Sequence, residues 1–332
     1  MKLFSTEQVS KYHPDKYADQ ISDAILTECL RQDKNSRVAC ECMVKDTTVV
    51  LGGEITTLAD VDFEKTVLRV ADKLGYKVDK IINLIGRQSL EIGLAVDGLG
   101  AGDQGLMFGF ATKETISYLP AGFETANNVI ALVERDVANN KDSILKGDAK
   151  TQIVVDLDTN NPQLINISVC HKENVTLPTV REYVKNLLRE YSDTEITVNP
   201  AGIWTVGGAI ADCGLTGRKI VCDQYGGYVP VGGGAFSGKD PTKVDRSAAY
   251  MARYIAKYAV NNYDIKNCVV QIGYIIGEAE PVSLNVADNK LITEDIKLKF
   301  DLRPRAIIER LGLLDVDYEK LSEGCHFRAG WL

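Results

Sequence analysis

The 332-residue sequence predicts an α+β fold of three similar domains. Each is an antiparallel or mixed sheet with helices on one face, and the three are related by pseudo-threefold symmetry. Three observations predict it. A helix, a pair of β-rich runs and a second helix recur three times, so one apolar helical face per copy can cover one sheet face. Glycine-rich segments separate the copies. Strand and helix do not alternate singly, as a doubly wound parallel sheet requires.

The first copy opens with a helix from Pro14 to Gln32, with Ala18, Ile21, Ile25 and Cys29 on one face. RVACECMVKDTTVVLGGE then reads as two strands around a Lys45-Asp46-Thr47 turn, and DFEKTVLRVADKLGY as a helix ended by Gly75. The second copy begins at Phe123, with Ala126, Ile130, Val133 and Val137 in helical step. TQIVVDLDTNNPQLINISV gives two strands around Asn160-Asn161-Pro162, and PTVREYVKNLLREY a helix. The third begins at Val244, with Ala248, Met251, Ile255 and Ala259 on one face, followed by NCVVQIGYIIGEAEPVSLNV and a helical segment from Ile292 to Leu311. The expected domains are 2–90, 100–202 and 204–330. The glycine-rich segments 98–105, 206–219 and 226–240 fall between the copies.

Composition narrows the function. The chain is 45% hydrophobic and 25% charged with a net charge of −8, which argues against a broad basic face for nucleic acid. Anions must then be met by locally gathered cations or recruited metal ions. The N-terminus has no apolar signal-peptide core, and no apolar run approaches the ~18 residues of a membrane helix. Eight cysteines without a CxxC pair, and three histidines in all, argue against a zinc site and for reduced thiols in the cytoplasm.

The segment VGGGAFSGKDPTKVDRSAAY (231–250) contains Gly233 and Gly238-Lys239 at phosphate-loop spacing. Asp240 and Pro241 follow, where a P-loop needs Ser or Thr to hold magnesium. Three readings stand open on these residues alone: a degenerate P-loop, a surface glycine loop, or a polyphosphate loop of another design. Lys239, Lys243 and Asp245 lie at the start of a helix, where N–H groups and the dipole attract anions. HPDK, at His13 to Lys16, starts the first helix in a parallel way. Lysine neutralises phosphate as a point charge, and aspartate holds magnesium alongside phosphate oxygens and waters. Lys16, Lys150, Arg218, Lys219, Lys239 and Lys243 each sit beside a glycine, a proline or an element end, a cation set large enough for a triphosphate. Glu54 and Asp103 lie apart from these cations and suit a substrate amino group. Asp15, Asp19 and Asp23 stand four apart on one helical face, and Asp19 and Asp23 read as a solvated acidic stripe.

Together these segments resemble S-adenosylmethionine synthetase (methionine adenosyltransferase). HPDK, ACE, GGEIT, GAGDQGLMFG, DCGLTGRK, GGGAFSGKDP and KVDRSAAY occur in that family's order, over roughly residues 3 to 327. The resemblance implies a pseudo-symmetric three-domain fold that makes S-adenosylmethionine from ATP and L-methionine and hydrolyses the displaced triphosphate to pyrophosphate and phosphate. It implies two magnesium ions per site and potassium, and a homodimer or dimer-of-dimers tetramer with active sites at the subunit interface. Carried over residue by residue, it implies catalytic roles for His13, Lys16, Asp103, Lys150, Arg218, Lys219 and Lys239. Asp148, Trp204, Asp212 and Ala235 join His13, Lys150, Arg218, Lys219 and Lys239 around ATP. Glu54, Gln88, Asp103, Asp212 and Lys243 line the methionine pocket, and Asp15, Glu41 and Asp245 hold metal. The sequence departs from the family at Tyr12, usually glycine, at Ile203-Trp204, often Arg-Phe, and in a shorter gate segment around 88–100. A P-loop kinase or ATPase, and a catalytically silent subunit that regulates a partner, are the competing readings.

Overall fold

The computed structural model describes residues 2–87, 100–328 and 332. The expected gate segment, with Gln88, lies outside the described residues except for Gly100. Helix α1 spans Pro14–Gln32, with His13 at the N-cap and Pro14 at the first helical position. Proline is pre-organised there, and its missing N–H costs nothing. Strands β2 (Arg37–Lys45) and β3 (Thr48–Thr56) form the expected hairpin, with Asp46 left-handed at φ 52° in the turn. Helix α2 (Phe63–Leu74) ends on Gly75, left-handed at φ 74°, which returns N–H bonds to the last carbonyls. Helices Ala121–Asn139, Leu177–Leu187, Val244–Asn262, Lys290–Lys299 and Pro304–Leu311 complete the recurring plan.

Among the described residues the strands form three sheets, and each contains a strand from outside its own copy. Strand β1 (Leu3–Val9) joins β6 (Leu145–Asp156), β7 (Asn161–His171) and β8 (Glu195–Val198) in the order β1-β6-β7-β8. Strand β5 (Gly105–Thr112) joins β10 (Asn267–Tyr274) and β11 (Ser283–Val286) in the order β11-β10-β5. The short β9 (Gly214–Leu215) extends the first sheet, in the order β4-β3-β2-β9 with β4 (Lys80–Gly86). Two sheets are mixed, because β3 pairs with β4, and β7 with β8, in parallel; the third is antiparallel.

Each long helix that starts a copy packs on a sheet: α1 on β2, Ala121–Asn139 on β6 and β1, and Val244–Asn262 on β5 and β10. α1 lies at the centre, and its polar side is covered as fully as its apolar side. Ile21, Ile25, Asp19 and Asp23 are all 0% exposed. The expected solvated stripe is therefore corrected, and the reason is hydrogen bonding. Asp15, Asp19 and Asp23 accept from the backbone N–H groups of Leu215 (2.9 Å), Gly217 (2.8 Å) and Gly238 (2.8 Å). One carboxylate every ~6 Å along the helix thus fastens two glycine-rich loops onto it. The eight cysteines are free, and all but Cys213 are buried. Among the described residues no helix is long and apolar enough to cross a membrane.

Candidate functional site

Both glycine-rich loops run along the outer edge of β2. Thr216 N–H donates to Cys42 O at 3.0 Å, and Cys40 N–H to Gly238 O at 2.9 Å. Gly238 sits at φ 80°, and a Cβ there would fall 1.8 Å from Cys40 O, so this close pairing requires glycine. Asp240 turns inward. It is 0% exposed and accepts from Val38 N–H at 2.6 Å, Thr242 N–H at 2.9 Å and Lys243 Nζ at 2.5 Å. A P-loop would need a hydroxyl ligand facing phosphate at this position. The aspartate is instead the staple that shapes the turn, so the segment is not a P-loop.

The loops create two charged walls. On the first, Lys219 Nζ lies 2.5 Å from Asp15 Oδ2, with His13 Nδ1 3.9 Å from the same oxygen. Burial raises the Asp15 carboxyl, but the bonds from Lys219 and Leu215 N–H outweigh it and hold the group below its usual range. Burial, then the Lys219 charge, lowers His13 to about 4 against the pull of Asp15. His13 is therefore neutral near pH 7. Its Nδ1 accepts from Asp15 N–H at 3.1 Å as the cap of α1, which leaves the proton on Nε2. Beside it a cavity of about 320 Å³ is lined by His13, Asp148, Lys150, Trp204 and Asp212, among others. Lys150, on β6, is half exposed and 3.3 Å from Glu7. Arg218 is exposed next to Lys219. Asp148 Oδ2 accepts from Gly208 N–H at 2.6 Å, while Oδ1 is buried without a partner. Burial pushes this carboxyl up to about 6.

The second wall lies on the outer face of the first sheet. Lys239 pairs with Ala39, and Ala39 with Glu54, so the three form one cross-strand row. Two strand spacings put Lys239 ~10 Å from Glu54 across the small Ala39. Glu41 lies on the same face, exposed. Lys239 Nζ contacts Asp245 Oδ2 at 2.5 Å. Gly234 makes room for this carboxylate, since a Cβ there would fall 2.2 Å from Asp245 Cγ. Gly105 also approaches Asp245, and Asp103 is exposed two residues upstream. Ala235 packs against Gly217, where the two loops touch.

One expected site residue is corrected. Lys16 does not line the site: it is 0% exposed, with Nζ 2.6 Å from Asp223 and 3.0 Å from Asp19. The helix turn after His13 points it inward, so it balances buried carboxylates instead of phosphate. Tyr12 does not line the cavity beside His13: its ring lies against Gly147, and its carbonyl accepts from Tyr76 Oη. Asp15 belongs to the first wall and Glu41 and Asp245 to the second; among the described residues no group of three His, Cys, Asp or Glu side chains is placed to hold a metal. Lys243 is engaged by Asp240. Sequence reading missed Asp223 and Arg246, whose roles depend on burial, and Asp240, whose role depends on the turn.

Against protein families, residues 1–96 match S-adenosylmethionine synthetase, N-terminal domain; 98–204 its central domain; and 206–331 its C-terminal domain. Among solved structures, an unusual S-adenosylmethionine synthetase from Campylobacter jejuni is similar at 33% identity with a TM-score of 0.89, over 98% of this chain and 94% of that chain.

Proposed function

The chain belongs to the S-adenosylmethionine synthetase family and is a methionine adenosyltransferase with ATP and methionine as substrates, and from that premise we propose how its two walls divide the work. The first wall takes the nucleoside and part of the polyphosphate; the second takes methionine and the rest. The observation that carries this is the pair of lysine–aspartate contacts, Lys219 with Asp15 and Lys239 with Asp245, each where a glycine-rich loop meets a helix start.

The methionine sulfur attacks C5′ of the ribose, the S–C5′ bond forms, and the C5′–O bond to triphosphate breaks. A thioether has no proton to lose, so no general base is needed. The barrier is charge on the leaving oxygens and alignment of sulfur with the breaking bond. Lys150, Arg218, Lys219 and Lys239 neutralise the triphosphate, and His13 offers its Nε2–H as a neutral donor. Trp204 supplies a stacking surface for adenine. Asp148 and Asp212 accept from the nucleoside. Glu54 and Asp103, with Gln88, hold the methionine ammonium group, and Lys243 its carboxylate. The bound triphosphate is then hydrolysed to pyrophosphate and phosphate among the same cations.

The family uses divalent and monovalent metal ions. Magnesium fits Asp15 and Asp245 as single carboxylates, because it keeps waters and takes phosphate oxygens. Glu41, exposed on the second wall, fits potassium. These ions would add positive charge at the leaving oxygens.

A second copy of the chain completes the site in this reading, bringing one protomer's first wall to its partner's second wall. The outer sheet face around Glu41 and Glu54 supports it, since Met43 (38% exposed) and Leu84 (66%) lie there with Val50 and Ile82. An apolar patch with charges at its rim suits an interface.

The test is purified protein with ATP and methionine. S-adenosylmethionine with pyrophosphate and phosphate is the expected product set. ADP would point to phosphoryl transfer, and no turnover to a silent subunit.

A further inference from the structure

His171 ends β7 and is 0% exposed. Its backbone N–H donates to Trp204 O at 2.9 Å, and its ring Nε2 lies 3.3 Å from the Trp204 backbone nitrogen. Its Nδ1 is 3.0 Å from Lys172 O. A carbonyl can only accept, so Nδ1 carries the ring proton, and Nε2 is free to accept from Trp204 N–H. The imidazole thus stands where a neighbouring strand's carbonyl would stand in a ladder. Trp204 is paired to β7 through both of its backbone groups.

The rest of the segment is fixed in the same manner. Asn199 N–H donates to Ile167 O at 2.9 Å, and its side-chain amide both accepts from Val169 N–H (2.8 Å) and donates to Val169 O (3.0 Å). The Trp204 indole N–H donates to Val206 O at 2.7 Å. Every hydrogen-bonding group of Trp204 is therefore committed, and what it offers the cavity is its ring. A stacking surface works by being flat and held still, and base–aromatic stacking contributes ~1–3 kcal/mol.

We propose that His171 is a positioning residue for nucleotide binding, acting through Trp204 by holding its backbone N–H. This rests on the reading of Trp204 as the nucleoside platform. Losing the Nε2 acceptor strands a partly buried N–H and frees the residue that carries the ring.

The experiment uses a Trp331→Phe background, which leaves Trp204 as the sole tryptophan of the 332-residue chain. His171→Phe fills the ring's volume but removes the acceptor, and His171→Gln restores an acceptor. For His171→Phe the expected result is a KM for ATP raised roughly five- to tenfold, the range expected from losing one such bond. kcat and the KM for methionine stay within about twofold, and Trp204 emission in the nucleotide-free enzyme shifts to the red. His171→Gln returns both readouts most of the way. If His171→Phe does not fold, His171→Asn, too short to reach Trp204 N–H, takes its place with the same expectation. An unchanged KM for ATP with unchanged emission overturns the proposal, as does an equal loss of kcat and stability in both variants. Trp204→Ala separates the two layers. If it leaves the KM for ATP unchanged, the platform reading fails. If it raises that KM while the His171 variants do not, only the role of His171 fails.

Discussion

Arg246 and Asp23 form a two-bond pair, with Nη1 to Oδ1 at 2.8 Å and Nη2 to Oδ2 at 2.6 Å, and both side chains are 0% exposed. The arginine also donates to Lys239 O at 3.0 Å and lies over the Tyr318 ring. One buried pair therefore joins α1, the loop that carries Lys239, and the C-terminal segment. Asp23→Asn or Arg246→Met alone leaves an uncompensated buried charge and should cost ~3–5 kcal/mol. The double variant Asp23→Asn/Arg246→Met should cost clearly less than the two single changes summed. Denaturant unfolding checks this, and near-neutral single variants would refute it.

Lys239 is 27% exposed, and its only ion-pair partner among the described residues is Asp245. Lys239→Met should lower kcat by ~10²–10³, the usual cost of removing one electrostatic donor from a transition state. Stability should hardly move. Near-normal turnover would show that this lysine is a surface residue.

Asp15→Asn and Asp245→Asn keep the shape of each side chain and remove its charge. Each should abolish activity or raise the magnesium concentration for half-maximal rate at least about tenfold, since magnesium depends on anionic oxygen ligands. Magnesium titrations that superpose on the parent's in both variants would remove these residues from the metal sites.

Asp148 gives a pH signature. Its folded pKa of about 6 lies above the unfolded 3.8, so the native state binds the extra proton between these values. Burying the charged carboxylate thus lowers stability as pH rises through this window, by up to about 3 kcal/mol. Asp148→Asn removes the penalty while keeping an acceptor for Gly208 N–H. It should melt higher than the parent at pH 8, with the gap closing toward pH 4, and it should bind ATP more weakly. A gap independent of pH would show that the penalty is not electrostatic.

If two copies share each site, as proposed, activity depends on association. Specific activity should fall on dilution in step with the dimer fraction seen by sedimentation. Leu84→Lys, on the apolar outer sheet face, should shift both curves to higher protein concentration. A monomer working at full rate would end the shared-site proposal.

Local chemistry was legible in the sequence wherever one segment decides it. His13-Pro14 starts α1, Gly75 stops α2, and Asp46 turns the first hairpin, each by the conformational preference of its own residues. What pairs with what was not legible. Strand β5 lies at the end of a glycine-rich run, and nothing in its residues names β10 as its neighbour. Asp19 and Asp23 have the same spacing whether water or a loop's N–H groups face them. Lys16 follows Asp15 in sequence but is turned inward by the helix. The candidate site was legible as a set of charged residues near glycines. Its division into two walls was not, because it follows from how two loops lie along one strand edge.

The exchange of strands among the three sheets also bears on how the chain is made. β1 leaves the ribosome long before its ladder partner β6, which pairs Val9 with Lys150 and Leu3 with Asp156. β5 must wait for β10, and the polar side of α1 stays bare until the loops around residues 215 and 238 arrive. Such distant pairings are slow to form. A nascent chain halted before the third copy holds every strand of the first two sheets but leaves β5 without β10, and Asp23 without Arg246. The third sheet and the buried Asp23–Arg246 pair therefore form late in synthesis, and truncation from the C-terminal side should expose the edge of β5 and yield aggregation-prone chains instead of a smaller working enzyme.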